Sequence, residues 1–352
     1  MSVTATIDGQ TVDIQEGESI LEAARRCGHE VPTLCYDSRV DPSASCRMCL
    51  VKVEGRRLAI PSCAHEIQPD MKVVTRDEEL EESRKTILKL VLSENPAEEC
   101  RSCIERGPCE LHALADDYGV RTSQYAGAIS GRIPEDNNPF IARDYSQCIL
   151  CYRCTRVCNE LEQAHAIIPE GRGFNTNIVA PFHESLLDSN CTFCGQCIQT
   201  CPTGALMDRK MLGKAKVEDV TKTRTICPFC GTGCGIELNV AKGEFIGVTP
   251  DWTSPASEGS LCVKGQFGID FISSPTRLKT PMIRRNGELE PCTWDEAFEA
   301  IVSKFKQVKE ESGPNVFSLW SSARATTESN FLMQKLARAV IGTNNIDNCA
   351  RT

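Results

Sequence analysis

The sequence is poor in several features that would direct it to common functional classes. Aromatic residues make up only 6% of its 352 residues, and none of its apolar runs approaches the roughly 18 residues that a membrane-spanning helix needs. Its 39 lysines and arginines are outnumbered by 48 aspartates and glutamates, which gives a net charge of −9. Because nucleic-acid binding needs a basic surface, we expect no nucleic-acid partner and no membrane span.

The amino terminus also lacks a targeting signal. Residues 1–20 contain no basic start followed by an apolar stretch, so no secretory signal peptide is predicted. This favours a cytoplasmic location, although export in complex with another subunit is an alternative. In a reducing compartment, many cysteines at short spacings indicate metal sites rather than disulfides.

Cysteine is what the chain has in excess. There are 22 cysteines, and 19 of them fall into five groups between Cys35 and Cys262. Thiolate sulfur is the ligand that iron–sulfur clusters select, and four thiolates usually hold each cluster. The segments between the groups are short, so bound clusters must replace part of an apolar core. The sequence therefore predicts a series of electron-transfer centres.

The strongest signal is a duplicated ferredoxin pattern, in which the cysteines are spaced two, two and three residues apart. The two copies are Cys148, Cys151, Cys154 and Cys158, and Cys191, Cys194, Cys197 and Cys201. In two-cluster ferredoxins the fourth cysteine of each run binds the other cluster. The predicted [4Fe–4S] ligand sets are therefore Cys148, Cys151, Cys154 and Cys201, and Cys191, Cys194, Cys197 and Cys158. Zinc binding is the alternative.

The first group approximates a plant-type [2Fe–2S] ligand run. Its members are Cys35, Cys46, Cys49 and Cys63. A zinc site or unpaired core thiols are the alternatives. Residues 32–36 and 46–51 resemble the [2Fe–2S] domain of the large peripheral subunit of complex I, a domain shared with hydrogenases and formate dehydrogenases.

The second group, Cys100, Cys103 and Cys109, departs from the pattern of that family. The resemblance implies a [4Fe–4S] cluster whose fourth ligand is a histidine four residues before the first cysteine, but Pro96 stands there. His112 is a candidate substitute. A surface role for His112, another ligand, or a three-ligand cluster remain open alternatives.

The fifth group has a more distant last member. It consists of Cys227, Cys230, Cys234 and Cys262. Residues 227–234 and 261–265 resemble the amino-terminal cluster domain of molybdopterin oxidoreductases, especially formate dehydrogenases. That resemblance implies a [4Fe–4S] cluster, and it implies that Lys264 relays electrons between cluster and pterin. A solvated lysine is the ordinary alternative for Lys264.

The carboxyl-terminal residues resemble formate dehydrogenase catalytic subunits. Residues 321–324, 328–330 and 339–352 carry this resemblance. In that family the following residue is a selenocysteine or cysteine that ligates molybdenum or tungsten on a bis-molybdopterin guanine dinucleotide. We hypothesise that a UGA selenocysteine codon has been read as a stop, so that the full-length protein carries this cofactor.

Local patterns predict an α+β multi-module fold. Asp8-Gly9 predicts a hairpin, and helices are predicted over 19–26, 80–92, 294–308 and 327–341. A strand pair is expected around 49–60 and a strand over 315–320. Residues 115–147, with one short strand, and residues 210–223 are interpreted as connectors. The expected modules are a β-grasp [2Fe–2S] domain (1–78), a cysteine-rich helical [4Fe–4S] module (79–120), a ferredoxin-like 2×[4Fe–4S] domain (138–210), a molybdopterin oxidoreductase [4Fe–4S] domain (220–276) and an incomplete α/β molybdopterin-binding domain (277–352).

The resemblance implies the electron-relay portion of a NAD(P)-linked formate dehydrogenase catalytic subunit. It implies one [2Fe–2S] and four [4Fe–4S] clusters, and exchange of electrons between formate or carbon dioxide and a flavin- and NAD(P)-binding iron–sulfur subunit. A hydrogenase or a ferredoxin is an alternative partner. The alternative functions are a complex I-type subunit, a hydrogenase subunit, and a stand-alone iron–sulfur adapter without catalysis. We expect the 352-residue chain alone to lack a complete active site.

Overall fold

A computed structural model describes residues 4–95, 109–128 and 138–349. The chain forms two compact units. The first runs over 1–222 with 239–247 and 261–263, and the second over 223–238, 248–260 and 264–352. Among the described helices, none combines the length and apolar character needed to cross a membrane.

The first unit begins with a five-stranded sheet in the order β2-β1-β5-β3-β4. Its strands are β1 (Thr4–Ile7), β2 (Gln10–Asp13), β3 (Leu50–Val53), β4 (Ile60–Pro61) and β5 (Lys72–Val74). Strands β1 and β2 are antiparallel, whereas β1 and β5 are parallel. Asp8 and Gly9 have φ angles of 47° and 83°, the left-handed values that a tight hairpin turn requires. The predicted hairpin is confirmed.

Helix α1 (Ile20–Arg26) packs on this sheet. Ser19 accepts a hydrogen bond from the Glu22 amide, and the Glu22 carboxylate accepts one from the Ser19 amide. Ile20 and Leu21 are fully buried in a core shared with the strands. This capping box explains why the predicted helix begins at this point, because it satisfies amide groups that the first turn leaves without partners.

A second core joins the sheet to two further helices. Helix α2 (Glu78–Leu92) begins two residues before the predicted start, because the Asp77 side chain accepts a hydrogen bond from the Leu80 amide. Helix α3 (Glu110–Asp117) lies in the segment that follows. The core residues include Leu34, Met48, Leu88, Leu92 and Leu111, and both Cys46 and Cys109 pack against them.

The remaining part of the first unit is built from short elements. Its helices are α4 (Arg153–Arg156), which continues as a π-helical turn (Val157–Leu161), and α5 (Gln196–Thr200). Its strands are β6 (Ile141–Arg143), β7 (Ile168–Glu170), β8 (Asn177–Val179) and β9 (Leu206–Asp208). They form two antiparallel pairs, β6 with β9 and β7 with β8. The first two cysteines of each run lie on loops, Cys154 and Cys197 lie in the short helices, Cys158 lies in the π-helical turn, and Cys201 caps the end of α5.

Strand β6 is the short strand expected within 115–147, and the connector predicted over 210–223 also contains a strand. Strands β10 (Val220–Ile226), β11 (Gly235–Ala241) and β12 (Glu244–Pro250) form a three-stranded sheet in that order. The prediction of a linker over 210–223 is therefore wrong from Val220 onward. Most of β10 is exposed, so its polar composition hid the strand.

The second unit continues with helix α6 (Val263–Phe267) and the hairpin of β13 (Met282–Arg285) and β14 (Glu288–Pro291). Helices α7 (Trp294–Ser312) and α8 (Thr327–Lys335) follow, and a π-helical turn (Leu336–Ile341) extends α8 to Gly342, as predicted. Strands β15 (Leu319–Ser321) and β16 (Ile346–Asn348) pair in parallel. The strand predicted over 315–320 starts later, because Pro314 opens a 3₁₀ turn.

Candidate iron–sulfur centres

The first cysteine group lies in the β-grasp part of the first unit. Cys46 and Cys49 sit on the loop before β3, and Cys63 lies in a 3₁₀ turn after β4. The sulfurs of Cys49 and Cys63 are 3.4 Å apart, and the Cys46 amide donates to the Cys35 sulfur at 3.5 Å. The fold therefore brings the four thiols together as two close pairs.

Hydrogen bonding within these pairs separates the acidities of the thiols. The interaction with Cys46 lowers the pKa of Cys35, and the interaction with Cys63 lowers the pKa of Cys49. The same interactions raise the pKa of Cys46 and of Cys63. One sulfur in each pair thus favours the thiolate form, which is the form that binds iron.

The second group is only partly within the described residues. Cys100 and Cys103 lie outside them, so their predicted ligand role has no structural description. Cys109 directly precedes α3, and His112 lies in the first turn of that helix. Burial lowers the pKa of His112, which favours the neutral imidazole that metals require.

The two ferredoxin runs share one local conformation. Each has left-handed residues at two equivalent positions, which are Leu150 and Tyr152 in the first copy, and Phe193 and Gly195 in the second. A short helix then starts in each copy, α4 and α5, and carries the third cysteine. The backbone therefore repeats the duplication seen in the cysteine spacing.

The fourth cysteine of each run lies near the first three of the other. Burial raises the pKa of Cys154, and the charges of Cys151, Cys148, Cys201 and Cys197 raise it further. Burial likewise raises the pKa of Cys197, with added contributions from Cys194, Cys191, Cys158 and Cys201. The thiols of the two runs therefore lie within electrostatic range of one another, and their division into two ligand sets stays a prediction.

One of the predicted ligand sets lines a partly open cavity. Cys158, Cys191, Cys194 and Cys197 all contribute to its wall, and its empty volume, counted to the open mouth, is about 470 Å³. The wall also contains apolar side chains such as Ile141, Ile167 and Leu206. The Ala166 amide donates to the Cys158 sulfur at 3.3 Å, a bond type that tunes iron–sulfur potentials. The donors fit a [4Fe–4S] cluster.

Three members of the fifth group lie on the loop between β10 and β11. The Cys227 amide donates to the Cys234 carbonyl at 2.9 Å and closes this loop. A Cβ atom at Gly231 would lie 3.1 Å from the Ala323 carbonyl, so glycine permits a close approach of the two segments. Cys262 is exposed and directly precedes α6, whose residue Lys264 is also exposed.

The strand pair β15–β16 borders an open groove in the second unit. The groove has an empty volume of about 1210 Å³, and its wall includes Trp320, Asn345 and Cys349. The Ala323 amide donates to the Cys349 sulfur at 3.2 Å and thereby lowers the pKa of this thiol. Asn330 of α8 holds the adjacent loop through bonds to Ser321 and Ser322.

Polar residues next to the cysteines were not found by sequence reasoning. Asp37, two residues after Cys35, accepts a hydrogen bond from Thr200 at 2.7 Å, and Arg39 donates to Gln196 at 2.7 Å. Asn95 donates to the Gln147 carbonyl at 2.7 Å. In the sequence, the one signal that could have identified these residues was their position near cysteines. These bonds join the cysteine groups of the first unit to one another.

The chain was compared with known protein families, and five family models match it. They are a 2Fe-2S iron-sulfur cluster binding domain (1–78), the NADH-ubiquinone oxidoreductase-G iron-sulfur binding region (84–124), the ferredoxin-like domain of NADH-quinone oxidoreductase subunit 3 (138–207), the molybdopterin oxidoreductase Fe4S4 domain (220–274) and the molybdopterin oxidoreductase family (277–352). The chain therefore carries matches to 2Fe–2S, 4Fe–4S and molybdopterin oxidoreductase domains along most of its length.

Similar curated proteins carry three different names. A G-type subunit of NADH-quinone oxidoreductase from Rhizobium meliloti is 38% identical over 351 residues, and the alpha subunit of NADPH-Fe(3+) oxidoreductase from Geobacter sulfurreducens is 35% identical over 349. A Staphylococcus aureus protein with a provisional formate dehydrogenase name is 32% identical over 388. Each alignment covers 99% of this chain but only 39–40% of the relative.

A solved structure supports the same assignment. A chain of NAD⁺-reducing [NiFe]-hydrogenase matches with a TM-score of 0.54 and 30% identity, over 59% of this chain and 88% of that one. The chain belongs to the family of iron–sulfur subunits that includes the G-type subunits of NADH-quinone oxidoreductase and related molybdopterin oxidoreductase subunits.

Proposed function

We propose that the chain is the electron-relay portion of a formate dehydrogenase catalytic subunit. The observation that carries the proposal is the cavity that Cys158 lines together with Cys191, Cys194 and Cys197, followed along the chain by a match to a molybdopterin oxidoreductase Fe4S4 domain. The first feature fits a pair of adjacent clusters. The second is expected where electrons pass between clusters and a pterin-bound metal.

The proposed ligand sets follow the cysteine spacing. A [2Fe–2S] cluster is assigned to Cys35, Cys46, Cys49 and Cys63, and two [4Fe–4S] clusters to the exchanged ferredoxin sets. A further [4Fe–4S] cluster is assigned to Cys227, Cys230, Cys234 and Cys262, and another to Cys100, Cys103 and Cys109 with an open fourth ligand. When bound, these clusters supply one-electron transfer, and the protein positions them and tunes their potentials.

The polar bonds of the first unit support a relay. Thr200 and Gln196 lie directly before Cys201 and Cys197, and both bind the loop that follows Cys35. Glu110, directly after Cys109, binds Arg153, directly before Cys154. The segments that hold Cys35 and Cys109 therefore adjoin the ferredoxin runs. We propose that electrons from the Cys227 centre reach them through the paired clusters.

The proposed substrates and partners rest on similarity. The full-length protein would bind bis-molybdopterin guanine dinucleotide with molybdenum or tungsten, convert formate and carbon dioxide, and use a flavin- and NAD(P)-binding subunit in the cytoplasm. Lys264 is proposed as the relay between cluster and pterin. NADH, NADPH or NAD⁺ stands in the names of three of the similar proteins, and two of them are named as subunits.

A second candidate is a subunit of a complex I-type or hydrogenase-type assembly. It is favoured by the 38% identity to a G-type subunit of NADH-quinone oxidoreductase and by the likeness to a hydrogenase chain. In that role the chain would relay electrons without a pterin-bound metal.

Metal analysis and substrate-dependent reduction test these proposals. Anaerobically purified protein should contain about 18 iron atoms, from one binuclear and four tetranuclear centres, with matching paramagnetic resonance signals after reduction. Colourless, zinc-loaded material would reject the relay itself. The full-length protein with its partners should reduce a dye with formate. Reduction with NADH but not with formate, in material that lacks pterin, would instead favour the second candidate.

A further inference from the structure

Arg153 occupies an unusual position between two cysteine groups. It lies two residues after Cys151 and directly before Cys154, and its side chain is only 7% exposed. Its two terminal nitrogens each donate to a Glu110 carboxylate oxygen at 2.9 Å, and one of them also donates to the Thr200 carbonyl at 3.2 Å. Since Glu110 directly follows Cys109 and Thr200 directly precedes Cys201, the guanidinium binds residues beside two cysteines, and Arg153 itself adjoins a third, Cys154.

The positive charge of Arg153 is incompletely balanced. Its carboxylate partner Glu110 is 52% exposed, so water screens that negative charge more than it screens the buried guanidinium. The Nε atom of Arg153 is buried and has no hydrogen-bond partner among the described residues. Burial raises the pKa of Cys151, and the charge of Arg153 opposes this effect, which places the cation within electrostatic range of that sulfur.

We propose that Arg153 is a buried fixed charge that raises the reduction potential of the centre on Cys148, Cys151, Cys154 and Cys201, and that Glu110 moderates it. The inference rests on the proposed relay function. Reduction adds one electron, supplied by the donor centre or by dithionite in a titration, and breaks no bond. A nearby cation stabilises the more negative reduced state, so its removal must make the centre harder to reduce.

A purely structural role is the competing explanation. The Arg153–Glu110 pair joins α3 to α4, and losing either partner would loosen this junction. Loosening does not depend on the sign of the lost charge. An electrostatic role does depend on it, because removal of the cation and removal of the anion must shift the potential in opposite directions.

The test is a redox titration of the complete protein, followed by the paramagnetic resonance of its [4Fe–4S] centres. Arg153→Gln should lower the midpoint of one centre by the equivalent of about a tenfold change in the reduction equilibrium, about 59 mV for one electron. Glu110→Gln should raise it by a smaller amount. Arg153→Lys should retain most of the wild-type value.

Arg156→Gln is the matched control. It removes the same charge from the same helix, but Arg156 is more exposed and pairs with Glu160. Its effect on this centre should be much smaller than that of Arg153→Gln. If Arg153→Gln fails to assemble the centre, the opposite-sign shift of Glu110→Gln still tests the proposal.

Three outcomes overturn the inference. They are shifts of the same sign in Arg153→Gln and Glu110→Gln, an unchanged midpoint in Glu110→Gln, or an equal shift in the Arg156 control. Each requires normal [4Fe–4S] signals in the wild-type protein. If the wild type lacks these signals, the proposed relay function fails instead.

Discussion

Helices α1 and α7 begin with the same local signal but lie in different surroundings. Ser19 with Glu22 and Thr293 with Glu296 both form complete capping boxes. Yet Leu21 of α1 is fully buried, whereas Ile301 of α7 is 49% exposed. The comparison teaches that a capping box sets where a helix begins, while burial of its apolar face depends on the elements packed against it.

The two units also differ in whether their buried polar side chains carry a charge. In the first unit, Arg84 and Arg153 are buried and bind backbone carbonyls next to cysteines. Among the described residues of the second unit, the buried polar side chains are uncharged, namely Ser254, Gln266 and Thr343. Buried guanidinium groups therefore join the cysteine-rich segments, whose apolar cores are small.

The largest effect is expected from removing a buried guanidinium. Arg84 donates to the carbonyls of Met48, Leu50 and Thr75 at 2.8–3.2 Å and pairs with Glu81. Arg84→Met leaves these acceptors without a donor and should cost about 3–5 kcal/mol of local opening free energy. Hydrogen exchange of the peptides around Cys49 would measure this.

Arg76→Met is the control for this change. Arg76 pairs with the same Glu81 but is 78% exposed, so its loss should change exchange little. Equal effects of the two substitutions would contradict the role assigned to burial.

The helix comparison itself is tested by truncating one apolar side chain in each helix. Leu21→Ala should destabilise the β-grasp part by about 2–5 kcal/mol, because it leaves a cavity in a packed core. Ile301→Ala should cost less than about 1 kcal/mol, since its side chain is already half hydrated. Hydrogen exchange of each helix would separate the two. A large cost at Ile301 would mean that α7 is covered in solution.

The two capping boxes should contribute similar free energies to the stability of their own helices. Ser19→Ala and Thr293→Ala should each cost about 1 kcal/mol. The loss at Ser19 should spread through the β-grasp core, whereas the loss at Thr293 should stay within the first turns of α7. Residue-resolved hydrogen exchange distinguishes these patterns, and protection lost throughout the second unit would refute the second expectation.

The smallest effect is the pH dependence of α2. A hydrogen bond from Lys52 and the bond from the Leu80 amide hold the pKa of Asp77 below its ordinary value of 3.8. A lowered folded-state pKa contributes stability above pH 3.8, and this stability is lost as the pH falls through the folded value. Asp77→Asn keeps a capping side chain but removes the charge. The hydrogen-exchange protection of α2 should therefore vary less in this variant between pH 5 and pH 3, a span of about 2 pH units around the ordinary pKa. An unchanged pH profile would reject the assignment.

Cysteine spacing predicted much of the candidate site. The pairing of Cys201 with Cys154 and of Cys158 with Cys197 is predicted from a known ferredoxin pattern, and Cys158 lines one cavity together with Cys197. The partners of Arg84 and Arg153 could not be predicted, because they lie on separate elements and carry no spacing signal. Strand β10 was not predicted, because most of its side chains are exposed and apolar residues do not alternate with polar ones along it.

The sequence by itself determined which atoms can bind iron and where helices begin, because ligand spacing and helix capping act over a few residues. Tertiary structure decided which thiols face one another, which arginines are buried beside them, and which helix faces remain exposed. These properties depend on contacts between residues distant in the chain, and no local pattern encodes them.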